Sequence, residues 1–335
     1  MIWAETIKWR GDHAEVIDQR KLPHKEVYVE IRTAEEMCEA IKNMTIRGAP
    51  AIGVAAAYGI ALAALKSKNR KSLEKKIESI ASSRPTAYNL FYAVKRMKKL
   101  IKGEKIDASA FIGEAIKIHE EDKNLTELLG KNGAKLVKNN SFYMTICNAG
   151  ALATGGIGTA LSVFYKAKEE GKNITVFVPE TRPFLQGARL TAWELKKNGI
   201  KPILIVDSAA SHIMKTEKIR GVFTGADRIA RNGDTANKIG TYSLALSAKE
   251  NKIPFYIVAP GTTFDLTLKN GREIPIEERT IDEITEFMGK RTAPDNISVK
   301  NPAFDVTPHK FISGIITEKG IIYPPFEKNI GIIQC

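Results

Sequence analysis

The sequence has few of the residues that cross-link small proteins or bind metal ions. Its three cysteines, Cys38, Cys147 and Cys335, are far apart and form neither the paired spacing of a disulfide framework nor that of a zinc site. Of the five histidines, His212 and His309 are the ones that could approach a candidate site. We therefore predict a reducing, cytoplasmic location and no metal centre.

Long hydrophobic runs are also scarce. The N-terminal segment MIWAETIKWRGDH has no apolar signal core, and the longest apolar stretch, residues 49–65, is rich in alanine and glycine and contains Pro50. We therefore expect no targeting peptide and no membrane span. The 335 residues, of which 43% are apolar, are enough for a folded protein with one or two domains.

The chain is basic, with a formal net charge of +13. Such a charge is typical of proteins that bind nucleic acid or an anionic small substrate. Many of the lysines, however, lie in segments such as KSKNRKSLEKKIESI, where they alternate with glutamate or with core residues, and this pattern favours a solvated helix face. Because the sequence has no recognition-helix, aromatic-stacking or zinc-module motif, we predict no nucleic-acid partner.

Residues 1–125 are predicted to form a mixed, mainly helical subdomain. Two segments, IKWRGDHAEVIDQRKLP and EVYVEIRT, alternate like strands and predict a small antiparallel sheet. The next segment, TAEEMCEAIKNM, opens on a Thr-x-x-Glu capping pattern and predicts a helix. Helical spacing continues over residues 49–65, 71–82, 87–101 and 108–129.

Residues 126–335 are predicted to form a Rossmann-like domain, which makes the fold class α/β. Apolar β-branched segments alternate with helical ones, as in a doubly wound parallel sheet, whose ligand binds beyond the carboxyl ends of the strands. After residue 265 we expect a loop, a short helix and a closing strand. The strand segments are FYMTIC, ITVFVP, PILIVD, GVFTGAD and PFYIVAP, and the helices cover residues 161–170, 184–198, 208–217 and 235–250.

Two residues at these strand ends are candidates for chemistry. Cys147 ends the first strand, where it is either a small buried hydrophobe or a nucleophile or base. Asp227 ends another strand, where burial would raise the pKa of its carboxyl and make it a general acid. The alternative for Asp227 is a helix cap or an ion pair with Arg228 or Arg231.

The glycine-rich segment CNAGALATGGIGTAL, which contains Cys147, has three interpretations. Gly156 and Gly158 resemble the opening of a dinucleotide fingerprint, and Glu180 would then be the ribose-binding acid. Leu161, however, takes the position of the third glycine. The glycines also fit close packing of backbone turns against a helix. In the third interpretation, exposed N–H groups and a helix terminus bind phosphate.

Several segments combine a cation with a helix start, an arrangement that binds anions. Residues 47–49 precede a proline in TIRGAPAIG, and Arg84 precedes one in SRPTAYNL. Asn237 and Lys238 are predicted to begin the helix that follows Asp227. Together these segments indicate a phosphorylated, hydroxyl-rich ligand.

Eight segments in this order resemble the methylthioribose-1-phosphate isomerases. These enzymes form a superfamily with ribose-1,5-bisphosphate isomerases and with regulatory subunits of translation initiation factor 2B. The resemblance covers nearly the whole chain, and CNAGALAT and GARLTAWEL favour the isomerase branch. The segments are IDQRKLP, TIRGAPAIGVAAAYGIAL, RPTAYNLFYAV, CNAGALATGGIGTAL, ETRPFLQGARLTAWEL, GADRIARNGDTANKIGTYSLA, PFYIVAP and IPIEER.

The resemblance implies an aldose–ketose isomerase of methionine salvage that acts on 5-methylthioribose 1-phosphate. We expect it also to accept the 5-deoxy analogue, because the pocket around the 5-position has no obvious charge requirement. The resemblance implies Asp227 as the proton donor and Cys147 as its catalytic partner, without a cofactor or metal, in a homodimer. The implied substrate-binding residues are Arg47, Gly48, Ala49, Arg84, Gln186, Asn237 and Lys238. The alternatives are a ribose-1,5-bisphosphate isomerase, which needs a second cationic cluster, and a non-enzymatic regulatory subunit.

One departure from the family pattern stands out, beside a slight difference at Gly155 and Gly156. Ile146 precedes Cys147, where a histidine is expected. Because neighbouring residues of a strand point to opposite faces, we predict that Ile146 lies away from the site.

Overall fold

The N-terminal part begins with a small antiparallel sheet. A computed structural model describes residues 4–84, 88–287 and 289–334. Strands β1 (Ile7–Trp9), β2 (Ala14–Ile17) and β3 (Tyr28–Ile31) pair in the order β1-β2-β3. Ala14 and Val16 of β2 are fully buried in the N-terminal core. The sheet lies where the strand-like alternation predicts it.

Five helices follow this sheet within the described residues. The capping pattern of the first is confirmed, because Thr33 Oγ1 accepts a hydrogen bond from the Glu36 N–H and the Glu36 carboxylate accepts one from the Thr33 N–H. The predicted helix start at residue 87 lies outside the described residues. The helices are α1 (Ala34–Lys42), α2 (Ala49–Lys66), α3 (Arg70–Ala81), α4 (Tyr88–Lys98) and α5 (Ala108–Ala134).

Helix α2 is the centre of the N-terminal core. By length and composition its 18 residues could cross a membrane, but 78% of them are buried inside the protein. A helix that is apolar all round is stable where other elements cover it on every side. Here α1, α3, α4 and α5 all contact it, and the small side chains of residues 55–57 are fully enclosed. Helix α2 is therefore a core helix of this fold.

A seven-stranded sheet forms the centre of the C-terminal part. Its order is β16-β15-β10-β7-β4-β5-β6, and all neighbours are parallel except β15 and the edge strand β16. The predicted doubly wound parallel sheet is confirmed, since each predicted strand segment contributes one strand. The strands of this part are β4 (Ser141–Met144), β5 (Ile174–Pro179), β6 (Lys201–Ile205), β7 (Ile219–Thr224), β8 (Arg228–Ala230), β9 (Thr235–Lys238), β10 (Phe255–Val258), β11 (Phe264–Asp265), β12 (Glu286–Phe287), β13 (Lys290–Arg291), β14 (Phe304–Thr307), β15 (Gly314–Thr317) and β16 (Gly320–Ile322).

Helices cover both faces of the large sheet. In β4, Tyr143 joins the core formed with α5, α6 and α7, whereas its neighbour Met144 joins the core formed with α8 and α9. The period of two along a strand thus separates the two cores. The helices of this part are α6 (Ala160–Glu169), α7 (Ala192–Lys197), α8 (Ala210–Thr216), α9 (Thr241–Glu250), α10 (Asp282–Thr285) and α11 (Phe326–Gln334).

A second sheet corrects one helix prediction. The helix expected over residues 235–250 begins only at Thr241, because residues 235–238 are strand β9. This strand pairs with β8 and β14 in a four-stranded sheet of order β11-β8-β9-β14. The cause is the turn at Asn232 and Gly233, where Gly233 has a φ of +89° and the chain folds back from β8 onto β9.

The chain after residue 265 also differs from the expectation. The predicted short helix is only the 3₁₀ turn His309–Phe311. The predicted closing strand is the antiparallel pair β15 and β16, which helix α11 follows. Ahead of them, β14 belongs to the second sheet. This part of the chain therefore has more strand structure than the sequence analysis assigns to it.

Helix α5 connects the two parts of the molecule. Phe111 and Ile118 pack in the N-terminal core, and Leu129 and Ala134 pack in a core of the large sheet. The predicted division between residues 125 and 126 falls inside this helix. The division into residues 1–125 and 126–335 stays a prediction.

Candidate active site

A cavity lies at the carboxyl ends of the neighbouring strands β7, β4 and β5. The start of α2 and side chains from residues 274–283 bound it on the other sides. The parallel order of these strands explains why Asp227, Cys147 and Gln186 meet there although they are far apart in the sequence. Eight of the nine predicted site residues line the cavity: Arg47, Gly48, Ala49, Arg84, Cys147, Gln186, Asp227 and Lys238.

Cys147 follows β4 in a backbone conformation that L-residues rarely adopt. Its φ is +65°, in the left-handed region. Its N–H donates to Thr181 Oγ1 at 3.0 Å, and its carbonyl accepts from Thr191 Oγ1 at 2.6 Å. Gln186 Nε2 lies 3.3 Å from the Cys147 sulfur, to which it donates. Bonds on three sides therefore fix the thiol at the cavity wall.

The turn beside Cys147 is braced in the same way. Thr181 also has a positive φ, +61°. The carboxylate of Asp207 accepts hydrogen bonds from the N–H groups of Thr181 and Arg182, each at 2.7 Å. Asp207 thus supports the hydroxyl that holds Cys147.

Asp227 lies between β7 and β8, at the end of the strand next to β4. Burial raises the pKa of its carboxyl, and the charges of Lys238 and Arg47 oppose that shift. The helix-cap alternative is wrong, because a strand follows Asp227. Of the two predicted ion-pair partners, Arg228 lies 3.5 Å from Asp265, and the Arg231 guanidinium donates to a backbone carbonyl. Asp227 is thus a buried carboxyl at the cavity whose pKa is raised above its ordinary value.

Arg47 and the start of α2 form a positively polarised corner of the cavity. Arg47 is buried, and its Nη1 and Nη2 donate to Asn148 Oδ1 at 2.9 Å and to Asn148 O at 3.0 Å. Gly48 caps α2 with a φ of +96° and no side-chain cap, so helix N–H groups remain for a ligand. A Cβ at Gly48 would lie 2.5 Å from the Ala153 Cα. This corner suits an anion.

Three other arginines at the cavity are paired with carboxylates. Arg84 lies 3.7 Å from Glu277, Arg228 lies 3.5 Å from Asp265, and Arg279 donates to Glu283 through Nε at 2.9 Å. Within the described residues, Arg47 and Lys238 have no carboxylate at ion-pair distance, and no group of three or more His, Cys, Asp or Glu could hold a metal ion. Arg47 and Lys238 therefore carry the positive charge that a bound anion would meet.

Lys238 and Asn237 point to opposite faces of strand β9. The Lys238 ammonium lies 4.4 Å from the centre of the Phe304 ring at the cavity, and burial lowers its pKa. Asn237 Nδ2 instead donates to the hydroxyls of Thr224 at 2.9 Å and Thr241 at 3.0 Å. Because β9 is a strand, the structure brings Lys238 to the cavity wall and turns the Asn237 side chain away from it. A binding role for Asn237 stays a prediction.

Two further residues of the sequence analysis lie elsewhere. Ile146 is 3% exposed and lines a separate cavity with Gly240 and Ser243, as its predicted orientation requires. His309 Nδ1 lies 2.8 Å from Asp234 Oδ1, at the second sheet.

The glycine-rich segment packs against helix α5. The Gly155 N–H donates to Asp122 Oδ2 at 2.6 Å, and its carbonyl lies 2.9 Å from His119 Nε2. The Ile157 N–H donates to Thr126 Oγ1 at 3.1 Å. Of the three interpretations, these contacts favour close packing, and the glycines themselves do not line the cavity described above.

Several cavity residues were not predicted. Tyr88, Phe184 and Phe304 add aromatic surface, and Arg279 and Glu283 add an ion pair. The segment IPIEER, which carries part of the family resemblance, leads into that ion pair and was the available signal. Tyr88 and Phe184 lie in two segments that carry the resemblance, RPTAYNLFYAV and ETRPFLQGARLTAWEL, whereas Phe304 lies in none of them. Only the tertiary fold brings the three rings together.

The comparisons with known proteins agree with this geometry. A methylthioribose-1-phosphate isomerase from Thermotoga petrophila is 54% identical over 97% of each chain. The crystal structure of 5-methylthioribose 1-phosphate isomerase from Pyrococcus horikoshii matches with a TM-score of 0.91 and 43% identity, over 98% of this chain and 95% of that one. A structure described as translation initiation factor eIF-2B subunit delta from A. fulgidus matches with a TM-score of 0.87 and 42% identity, over 98% of both chains.

The family comparison covers most of the described fold. The model of the initiation factor 2 subunit family matches residues 45–324, which include the start of α2, the glycine-rich segment and the seven-stranded and four-stranded sheets. The chain therefore belongs to the initiation factor 2 subunit family.

Proposed function

We propose that this protein is an aldose–ketose isomerase that converts 5-methylthioribose 1-phosphate into 5-methylthioribulose 1-phosphate, a step of methionine salvage. The observation that carries the proposal is one cavity lined by a thiol, Cys147, a buried carboxyl, Asp227, and the anion-binding corner at Arg47. The names of the relatives from Thermotoga petrophila and Pyrococcus horikoshii support it.

The proposed chemistry needs an acid. A sugar with a phosphate on C1 is a locked cyclic acetal and does not open to a free aldehyde. Breaking the bond between C1 and the ring oxygen therefore requires a proton on that oxygen. Asp227 is suited to supply it, because its carboxyl lines the cavity and burial raises the pKa of that carboxyl.

The hydrogen on C2 must then reach C1. In one route the Cys147 thiolate removes the C2 proton, an enediol forms, and the proton returns to C1. In the other route the hydrogen moves as hydride within a cavity that Cys147 shapes. In both routes the C2 hydroxyl becomes the ketone oxygen by giving its proton to the Asp227 carboxylate, which restores the acid. Catalysis in solvent deuterium distinguishes them, because deuterium enters C1 of the product only in the proton-transfer route.

A second candidate function has one observation in its favour. The A. fulgidus protein, described as an initiation factor subunit, is 42% identical over 98% of both chains. A non-enzymatic subunit, however, has no need of a buried acid and a thiol at one cavity. A ribose-1,5-bisphosphate isomerase is the third possibility, but three cavity arginines are already paired with carboxylates, which disfavours a second phosphate.

One assay separates these functions. The purified chain is incubated with methylthioribose 1-phosphate or with ribose 1,5-bisphosphate, and ketose formation is measured, with the Asp227→Asn protein as control. We expect ketose from the methylthio sugar at a much higher kcat/KM, and turnover lower by about 1000-fold in the control. Preference for the bisphosphate, or no ketose from either sugar, would contradict the proposal.

The proposal includes a cytoplasmic homodimer without a nucleic-acid or membrane partner. Strand β6 is the last strand in the sheet order, and two apolar side chains at its end, Leu204 and Val206, are about half exposed. Such an edge is a site for self-association. Light scattering tests it: we expect the mass of two chains, and the mass of one chain after Leu204→Lys with Val206→Lys. A wild-type chain that is monomeric would contradict it.

A further inference from the structure

A buried carboxylate lies beneath the glycine-rich segment. Glu194 of helix α7 is only 1% exposed. Its Oε1 accepts a hydrogen bond from Asn148 Nδ2 at 2.7 Å, and its Oε2 accepts one from the Tyr165 hydroxyl at 3.2 Å. Burial raises the pKa of this carboxyl, and these hydrogen bonds oppose that shift. A buried carboxylate is costly unless such bonds compensate it, so its presence calls for a reason.

The glycine-rich segment makes room for Glu194. A Cβ at Gly150 would lie 2.2 Å from Glu194 Oε2, a distance that no side chain tolerates. The Leu152 N–H also points to the carboxylate, at 3.4 Å from Oε1. The segment that delivers Cys147 is therefore shaped around Glu194.

Asn148 connects this carboxylate to the anion-binding corner. A side-chain amide has an NH2 group that donates hydrogen bonds and an oxygen that accepts them. An acceptor that binds the NH2 group therefore fixes the direction in which the oxygen points. Here the Nδ2 end faces Glu194 and Thr191, and the Oδ1 end therefore faces Arg47 Nη1 at 2.9 Å. Without the carboxylate, the amide could turn and place its N–H groups against the guanidinium.

We propose that Glu194 is a positioning residue: through the Asn148 amide it holds the Arg47 guanidinium in the orientation that binds the phosphate of the substrate. This inference rests on the proposed function only in assuming that Arg47 binds phosphate. Glu194 itself does not line the cavity and has no contact with the reacting atoms. In metal sites, groups that orient a ligating side chain change affinity or activity by about 10–100-fold when they are replaced, and we expect an effect of that order here.

The test measures phosphate binding as well as turnover. Calorimetry gives the Kd of inorganic phosphate for wild type, Glu194→Met, Glu194→Gln and Tyr165→Phe, and kinetics give KM and kcat. We expect Glu194→Met to weaken phosphate binding by about tenfold and to raise KM in parallel. Glu194→Gln keeps one acceptor oxygen of the same shape and should restore the affinity to within about twofold.

Tyr165→Phe is the matched control for a merely structural role. It removes the hydrogen bond to the other oxygen of the same buried carboxylate, so it should lower the melting temperature. The phosphate Kd should nevertheless stay within about twofold of wild type, because the bond to Asn148 remains. Equal losses of phosphate affinity in Tyr165→Phe and Glu194→Met would overturn the proposal, as would an unchanged affinity in Glu194→Met.

A double-mutant cycle tests the connection through Arg47. If Glu194 acts through Arg47, adding Glu194→Met to the Arg47→Met protein should raise the Kd of phosphate by less than about twofold. A double variant in which the two single effects on the phosphate Kd multiply would overturn the proposal. Should Glu194→Met fail to fold, Glu194→Asp, whose carboxylate is withdrawn by one carbon–carbon bond of about 1.5 Å, replaces it with the same expected loss.

The outcomes separate this inference from the proposed function. A wild-type protein that binds no phosphate would overturn the positioning role together with the anion site. A protein that binds phosphate with the expected pattern among the variants, but isomerises neither sugar, would support the positioning role and contradict the proposed function.

Discussion

The cavity has two walls that hold their cations in different ways. One wall, which we call the amide wall, is made by Arg47, Cys147 and Gln186. The hydrogen-bond partners of Arg47 and Cys147 there are side-chain amides, hydroxyls and backbone groups. In the ion-pair wall, made by Arg84, Arg228 and Arg279, each arginine has a carboxylate nearby. An amide orients a guanidinium without neutralising it. The difference leads us to expect the anionic ligand at the amide wall rather than at the ion-pair wall.

The strongest disruption of this arrangement is Asp227→Asn, which removes the acid and keeps its shape. We expect kcat to fall by about 1000-fold while phosphate still binds with wild-type affinity. The measurements are steady-state kinetics and calorimetry. Turnover within tenfold of wild type would show that Asp227 is not the acid.

The amide wall also depends on backbone that tolerates no side chain. Gly48→Ala should lower the free energy of unfolding by about 3 kcal/mol, because the new Cβ would meet Ala153 at 2.5–2.7 Å and the φ is +96°. The control is Gly11→Ala, with a φ of +87° but nothing within 4 Å, which should cost about 1 kcal/mol. Urea unfolding compares the two variants. Equal losses of the free energy of unfolding would show that backbone strain alone matters and that the contact with Ala153 does not.

Replacing the arginines sharpens the difference between the walls. Arg47→Met should raise the Kd of inorganic phosphate by about 30-fold, since a hydrogen bond to a charged group is worth about 2 kcal/mol. Removing a pair from the other wall, Arg84→Met with Glu277→Gln, keeps the net charge and should change Kd by less than about threefold. A larger effect of the paired replacement would place the phosphate at the ion-pair wall.

The smallest effect concerns Asp122, which accepts a hydrogen bond from Gly155 in the glycine-rich segment. Burial raises the pKa of Asp122 from 3.8 to about 6. The folded state therefore holds this proton more tightly than the unfolded state, and the stability it contributes below pH 4 is lost as the pH rises through 6. Asp122→Asn lacks this loss. Its free energy of unfolding, relative to that of wild type, should therefore rise by on the order of 1 kcal/mol between pH 4 and pH 7. Urea unfolding at both pH values measures the difference in free energy of unfolding between variant and wild type. The same difference at pH 4 and pH 7 would contradict the prediction.

The parallel sheet could be predicted because its signals are local. Each strand is a short apolar run, and the rule that ligands bind at carboxyl ends then brings Cys147 and Asp227 to one edge. The second sheet was missed, although the Asn232-Gly233 pair between two short strands is a hairpin signal. Polar residues such as Asn237 and Lys238 made β9 resemble a helix start.

The supporting contacts of the site could not be predicted from sequence patterns. Glu194 lies 46 residues from Asn148, and Asn148 lies 101 residues from Arg47. No spacing rule relates residues so far apart, because their contact depends on how α2, α7 and the glycine-rich segment pack. The resemblance identified Arg47, the end of this chain of contacts at the cavity, but not Glu194, the buried carboxylate at its other end.

The left-handed backbone at Cys147 has a consequence for how this protein can be made more robust. A non-glycine residue in that region loses on the order of 1 kcal/mol that glycine would not lose. Selection for heat resistance alone would thus favour glycine at position 147, and it would discard the thiol. Thermostability and activity therefore compete at this one residue, so a search for hardier variants has to screen for turnover at every round.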